Sequence, residues 1–152
     1  MPDELSETES KELTLKFARH LVNKYGVAAD VTIHVPHVKG DSRNRHAHIL
    51  TTTRKINPDG SLSEKTRILD DKKTKEVERI RETWADLTNE ALARADKSER
   101  ISHKSSEAQG VERMPTIHLG PAATAMERRG IKTERGEYNR EVLELGRELK
   151  HQ

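Results

Sequence analysis

Two stretches of this chain alternate apolar and polar residues with period two, and a polar interval separates them. In AADVTIHV, Val31, Ile33 and Val35 alternate with Asp30, Thr32 and His34. RHAHILTTT follows with a run of β-branched residues. Period two is the spacing of a strand with one buried face. The interval PHVKGDSRN carries Pro36 and Gly40, both turn formers. Strand, polar loop and strand predict a β-hairpin, and a hairpin dictates which side chains share a face.

The rest of the chain reads largely as helix. In SETES, Ser6 and Glu9 have the spacing of a capping box, which satisfies the orphan amides of a first turn. Leu13, Phe17, Leu21 and Val22 then recur at helical spacing and Gly26 supplies a stop, so a helix is expected from about Ser6 to Tyr25. NPDG, Asn57 to Gly60, is a turn signal. From about Lys72 to Ala95 a narrow stripe of Val77, Ile80, Trp84, Leu87 and Ala91 predicts a helix packed on a sheet or on another helix. The segment from Glu99 to Gly120 is irregular. GPAATAMERRG predicts a short helix with Pro121 at its first position and Gly130 past its end. A last helix carries Tyr138, Val142, Leu145 and Leu149 in register. No internal repeat is present. The expectation is an α+β chain, 1–152, forming a single domain.

Composition narrows the function. Hydrophobic residues are 32% and charged residues 36%, a thin apolar supply for a core. The formal net charge is only +2, so local patches must carry any affinity for nucleic acid. There is no cysteine, which excludes disulfides, thiolate metal sites and cysteine nucleophiles. No apolar run approaches the roughly 20 residues that cross a bilayer, and the acidic MPDELSETES is not a secretory signal. A cytoplasmic protein without a membrane partner is expected.

The chemistry is concentrated in NRHAHILTTTR. His46 and His48 lie two apart on a strand, so their imidazoles share a face. If the hairpin turns near Gly40, His34 falls opposite His46, and cross-strand neighbours sit about 4.5–5.5 Å apart at Cβ. Three imidazoles then converge on one metal ion. A one-residue slip would turn His34 away. The alternative is a plain polar strand face, and the two readings are evenly matched on the residues alone. His37, in the loop, is a poorer ligand. Around the histidines stand Lys39, Arg43, Arg45, Arg54 and Lys55 against the single Asp41, a basic rim that suits a phosphate-bearing substrate; ordinary surface arginines are the alternative. His103 and His118 read as loop histidines. Tyr25 and Tyr138 fall on the apolar registers of helices, where packing is the expected role. The chain has no phosphate-binding loop, no HExxH and no GxSxG, and HAH lacks the following Asp-His pair of metallo-β-lactamase-like hydrolases.

His46-Ala47-His48 resembles the signature of the HUH endonucleases. The longer run AADVTIHVPHVKGDSRNRHAHILTTTR resembles the MobA/MobL relaxases of mobilisable plasmids, the TraA-type proteins among them. IRETWADLTNEAL and ISHKSSEAQGVERMPTIHLGPAATAMERRG resemble the later part of that relaxase domain, so the likeness runs from about residue 2 to 140.

The resemblance implies an antiparallel sheet with flanking helices. It implies nicking of single-stranded DNA at an origin of transfer, by a tyrosine that stays joined to the 5′ end. A divalent metal ion, Mn, Mg or Zn, would be held by His34, His46 and His48, with Arg43, Arg45, Arg54 and Lys55 as DNA contacts and other relaxosome proteins as partners. One departure stands against the match. The family's nucleophilic tyrosine precedes the first block seen here, and neither Tyr25 nor Tyr138 occupies its position, so no catalytic residue is assigned. The chain is expected to be the C-terminal portion of such a relaxase domain, without the N-terminal part that bears the tyrosine, and inactive alone. The alternatives are a non-catalytic module that binds DNA or a partner of the transfer machinery, and a decayed remnant.

Overall fold

The capping box written into SETES forms in full. Ser6 Oγ accepts from the Glu9 N–H at 3.3 Å, and Glu9 Oε2 accepts from the Ser6 N–H at 2.8 Å. Helix α1 spans Glu7–Tyr25, with Ser6 as its cap. It ends at Gly26, whose φ of 65° lies in the left-handed region that a residue without Cβ adopts at no steric cost. The computed structural model describes residues 1–36, 44–111 and 114–148.

The expected hairpin follows. β1 (Ala29–His34) and β2 (His46–Thr51) are antiparallel, with His34 paired to His46, Thr32 to His48 and Asp30 to Leu50. Those six side chains share one face. The opposite face turns Ile49 toward α1, where it packs on Leu21, Tyr25 and Val27 together with Phe17 and Ile80. Val35 was expected on the apolar face. It lies past the last ladder pair and is 79% exposed, next to Pro36, which has no N–H to extend the ladder.

A second hairpin went unrecognised in the sequence beyond its turn. β3 (Arg54–Ile56) and β4 (Leu62–Lys65) pair antiparallel around the NPDG turn, where the Gly60 N–H donates to the Asn57 carbonyl. The Ile56 N–H donates to the Gly26 carbonyl at 2.8 Å, which seats this hairpin against the end of α1.

The helix expected from Lys72 starts later. Lys72–Thr74 is a single 3-10 turn, Lys75 has a φ of 54°, and α2 spans Glu76–Arg94. Asp71 caps the Lys73 N–H, and Thr74 Oγ1 donates to the carbonyls of Ile68 and Asp71. These local bonds offer the backbone an alternative to helix. The buried stripe of α2 is also rotated from the expected one. Val77 is exposed, while Glu76, Ala85, Thr88, Ala91 and Leu92 are buried. A second apolar cluster forms there, from Leu5, Leu13, Ala91 and Leu92.

The described residues divide into two compact units, Met1–His103 and a second that begins at Lys104. The second contains α3 (Gly120–Arg128), with Pro121 in its first turn as expected, and α4 (Glu134–Glu148). The Asn139 amide clamps Ile117 at both its N–H and its carbonyl, each at 2.8 Å. The fold class is α+β, antiparallel strands with flanking helices.

Candidate metal centre

His34 comes from β1, and His46 and His48 come from β2. The antiparallel register sets His34 opposite His46 and leaves His48 on the same face one pleat away. The register expected from the symmetric hairpin is the one observed. Ring centroids lie 5.2 Å apart for His34 and His46, 4.6 Å for His34 and His48, and 5.2 Å for His46 and His48. One ring nitrogen from each residue falls within 4.8 Å of the others. Two nitrogens of a tetrahedral zinc site, each about 2.1 Å from the ion, are about 3.4 Å apart, so the three rings, already gathered on one face to within 4.8 Å, draw closer on holding an ion. The residue set fits a divalent cation.

His46 is oriented as well as placed. Its Nδ1 lies 3.0 Å from the Asn44 carbonyl oxygen. A carbonyl has no proton to give, so Nδ1 is the donor in this contact and Nε2 is the nitrogen left to face an ion. Such a carbonyl partner steers metal-ligating imidazoles elsewhere. Sequence reasoning missed Asn44, whose only signal was its place two residues before His46 in a polar loop. The other side of β2 is backed by Phe17 and Trp84, stacked edge-on with centroids 5.1 Å apart, beside a shallow recess of about 210 Å³ that also touches His46 and Ala47.

The basic rim is less concentrated than the sequence suggested. Arg45 adjoins the triad at the start of β2, half-buried, its carbonyl accepting from the Met1 amino group at 3.0 Å. Arg54 and Lys55 lie beyond the other end of β2, on β3, past a bend at Thr53. The Arg54 guanidinium donates across the second hairpin to the Ser63 carbonyl at 2.9 Å, and Lys55 pairs with Glu64 at 2.6 Å. Arg43, with His37, Lys39 and Asp41, lies outside the described residues. His103 belongs to the first unit, beside Trp84 and Arg81, and His118 to the second, so neither is part of the described triad.

Tyr25 packs as expected and does more. It is 6% exposed, and its hydroxyl donates to Glu76 Oε1 at 2.7 Å. Glu76 also receives Lys24 at 2.5 Å and Arg79 at 2.9 Å. The hydrogen bond from Lys24, then that from Tyr25, pulls the Glu76 carboxyl from its ordinary 4.5 to about 2. Burial, then the Glu76 bond, pushes the Tyr25 hydroxyl well above its ordinary range.

A family model for MobA/MobL proteins matches residues 1–129. The chain belongs to the MobA/MobL family. Among its relatives in the family are "Mobilization protein MobL" of Acidithiobacillus ferridurans, 36% identical over 95% of this chain and 46% of that protein, and "Mobilization protein A" of Escherichia coli, 36% identical over 90% of this chain and 21% of that protein. "Conjugal transfer protein TraA" of Agrobacterium fabrum is 30% identical over 85% of this chain and 13% of that protein. The chain thus spans less than half the length of these curated relatives. A solved structure reported as "Molecular Basis of Vancomycin Resistance Transfer in Staphylococcus aureus" superposes with a TM-score of 0.57 at 27% identity, covering 69% of this chain and 54% of that one. No helix among the described residues is long and apolar enough to cross a membrane.

Proposed function

We propose that this chain carries the metal-holding part of a site that handles one strand of DNA during plasmid mobilisation. His34, His46 and His48 would hold a divalent ion, Mn, Mg or Zn. The observation that carries this reading is the convergence of three imidazoles on the open face of one hairpin, with their nitrogens within 4.8 Å. Relatives named as mobilization and conjugal transfer proteins support it. The substrate is a single strand at an origin of transfer, and the partners are other proteins of the transfer machinery.

A divalent ion bound there supplies Lewis-acid polarisation of a phosphoryl oxygen. The chain's own residues do the positioning. Two paired strands hold the three rings, and the Asn44 carbonyl fixes the tautomer and plane of His46. Arg45 precedes His46 in the chain, and it is proposed with Arg43, Arg54 and Lys55 as the set of phosphate contacts, the last two reaching DNA beyond the far end of β2. The complete reaction is a transesterification, in which a tyrosine oxygen bonds to phosphorus as the 3′ oxygen departs. Tyr25 and Tyr138 are packing residues rather than that nucleophile, so the 152 residues alone bind DNA without cleaving it.

The test is a calorimetric titration of the intact chain with manganese and with zinc, beside the His46→Ala/His48→Ala variant, both confirmed as folded by circular dichroism. Binding by the first and not the second is expected. A folded intact chain that takes up neither metal overturns the reading.

A further inference from the structure

We propose a second nucleic-acid contact, away from the histidines, at the junction of α1 and the second hairpin: a cationic groove that takes a phosphodiester of a single strand, joined to a threonine-lined slot that takes the attached base. It rests on the reading that this chain handles single-stranded DNA and adds a site to it.

The groove has a volume of about 300 Å³ and is lined by Lys24, Lys55, Lys65 and Arg67, with Glu64 among them. Lys24 is bonded to the buried Glu76. Lys55 holds Glu64 in a pair whose side chains are 47% and 70% exposed, the kind of pairing that solvent weakens and a phosphate displaces. Lys65 and Arg67 are exposed, and their side chains have no hydrogen bond or ion pair among the described residues. Two uncommitted cations flanking one groove make an anion site that nothing in the fold itself requires.

The slot adjoins it, with a volume of about 330 Å³. Its walls include Val27, Ile49, Leu69 and Ile80, and Tyr25, Lys65 and Thr66 line both spaces. Thr66 carries the independent observation. Its N–H donates to the Thr53 carbonyl, so its backbone is committed to the hairpin, yet its Oγ1 is buried without a hydrogen-bond partner. Buried hydroxyls normally find one. No partner holds this hydroxyl in its buried position, so a rotation about the Cα–Cβ bond would turn it toward the sugar or phosphate of a nucleotide bound where the cationic groove meets the apolar slot. Asp70, on the slot's rim and without a side-chain partner among the described residues, offers an acceptor to a base amino group. An apolar slot with a few convergent polar groups is the ordinary form of a small-ligand site, and the adjoining cations suit a phosphodiester.

The experiment measures binding of a fluorescently labelled single-stranded oligonucleotide to the full chain by anisotropy, in EDTA, across a salt series. Lys65→Ala/Arg67→Ala is expected to weaken binding about tenfold near 0.1 M salt. It should also reduce the slope of log K against log salt by about 0.7, the value for the one phosphate that is no longer neutralised. Thr66→Val is expected to weaken binding about threefold with the slope unchanged, whereas Thr66→Ser is expected to bind as the parent chain does. Manganese uptake is expected to be the same in all of them. Salt-dependent binding that the double variant loses supports the groove even if the chain takes up no manganese, which counts against the histidine site alone. A double variant that binds like the parent, with the same slope, marks an ordinary solvated face and overturns the proposal. So does an intact, folded chain that binds no oligonucleotide in EDTA.

Discussion

His34 and His46 are directly paired across the β1–β2 ladder, with ring centroids 5.2 Å apart. His34 is the only member of the triad on β1, so it alone depends on register. His34→Ala removes one of the three imidazoles proposed as ligands and leaves both strands intact. Divalent-metal affinity is expected to fall at least tenfold to a hundredfold, the range that loss of a mere orienting partner produces at such sites. Competition titration against a zinc indicator reads this, and unchanged affinity would remove His34 from the ligand set.

Glu76 is the anchor of the α1–α2 packing. Its side chain is 1% exposed and receives Lys24, Tyr25 and Arg79. Glu76→Gln keeps the shape and removes the charge, at an expected cost of about 2 kcal/mol; Tyr25→Phe removes one donor, at about 1 kcal/mol. The sign of the pH dependence follows from the depressed carboxyl. Its contribution is present in full above the unfolded value near 4.5 and is lost as pH falls toward the folded value of about 2. Denaturant melts from pH 6 to pH 2 should show the parent losing its advantage over Glu76→Gln between about pH 5 and pH 2. A gap that stays constant across that range would mean the charge contributes nothing.

How much of this was legible varies from residue to residue. Ser6, Glu9 and Gly26 act within a few residues of themselves, and α1 emerged as read. The triad emerged because period two determines faces and a symmetric turn determines partners. The second hairpin was hidden because β3 and β4 are three and four residues long and lack clean alternation, so NPDG was legible as a turn but its arms were not. Glu76 was missed because a carboxylate on an apolar stripe is normally a reason to reject that register. It is buried here only because Lys24 and Tyr25, 51 or more positions earlier, come to meet it. Arg54 and Lys55 looked like neighbours of the histidines along the chain, but an extended strand carries residues apart at about 3.3 Å per position.

In the second unit, Gly136 makes room for a carboxylate. A Cβ at this position would overlap Glu127 Oε1 and Cδ. Glu127 accepts from the N–H and hydroxyl of Thr133 and from Arg140, and Thr133 Oγ1 accepts in turn from the Gly136 N–H. Alanine gains about 1 kcal/mol of helix propensity, but inserting a methyl group into a filled site costs about 1–3 kcal/mol. Gly136→Ala is therefore expected to destabilise the α3–α4 pairing by roughly 1 kcal/mol, seen as faster amide exchange in both helices. Slower exchange would mean that Glu127 relocates freely.

Tyr25 offers the sharpest test of what the chain does on its own. A tyrosine that attacks phosphorus must reach it and must shed its proton. Tyr25 is buried in the cluster with Leu21 and Val27, its hydroxyl donates to a carboxylate, and burial beside that charge raises the cost of forming a phenolate. Tyr138 is half-buried within α4. Incubation of the chain with labelled single-stranded origin DNA and manganese is therefore expected to give no slow-migrating species on a denaturing gel, even where anisotropy shows the DNA bound. An adduct that disappears in Tyr25→Phe would require the Glu76 network to open and present that hydroxyl. One that disappears in Tyr138→Phe would assign the chemistry to α4. Either result would replace a binding role with a cleaving one.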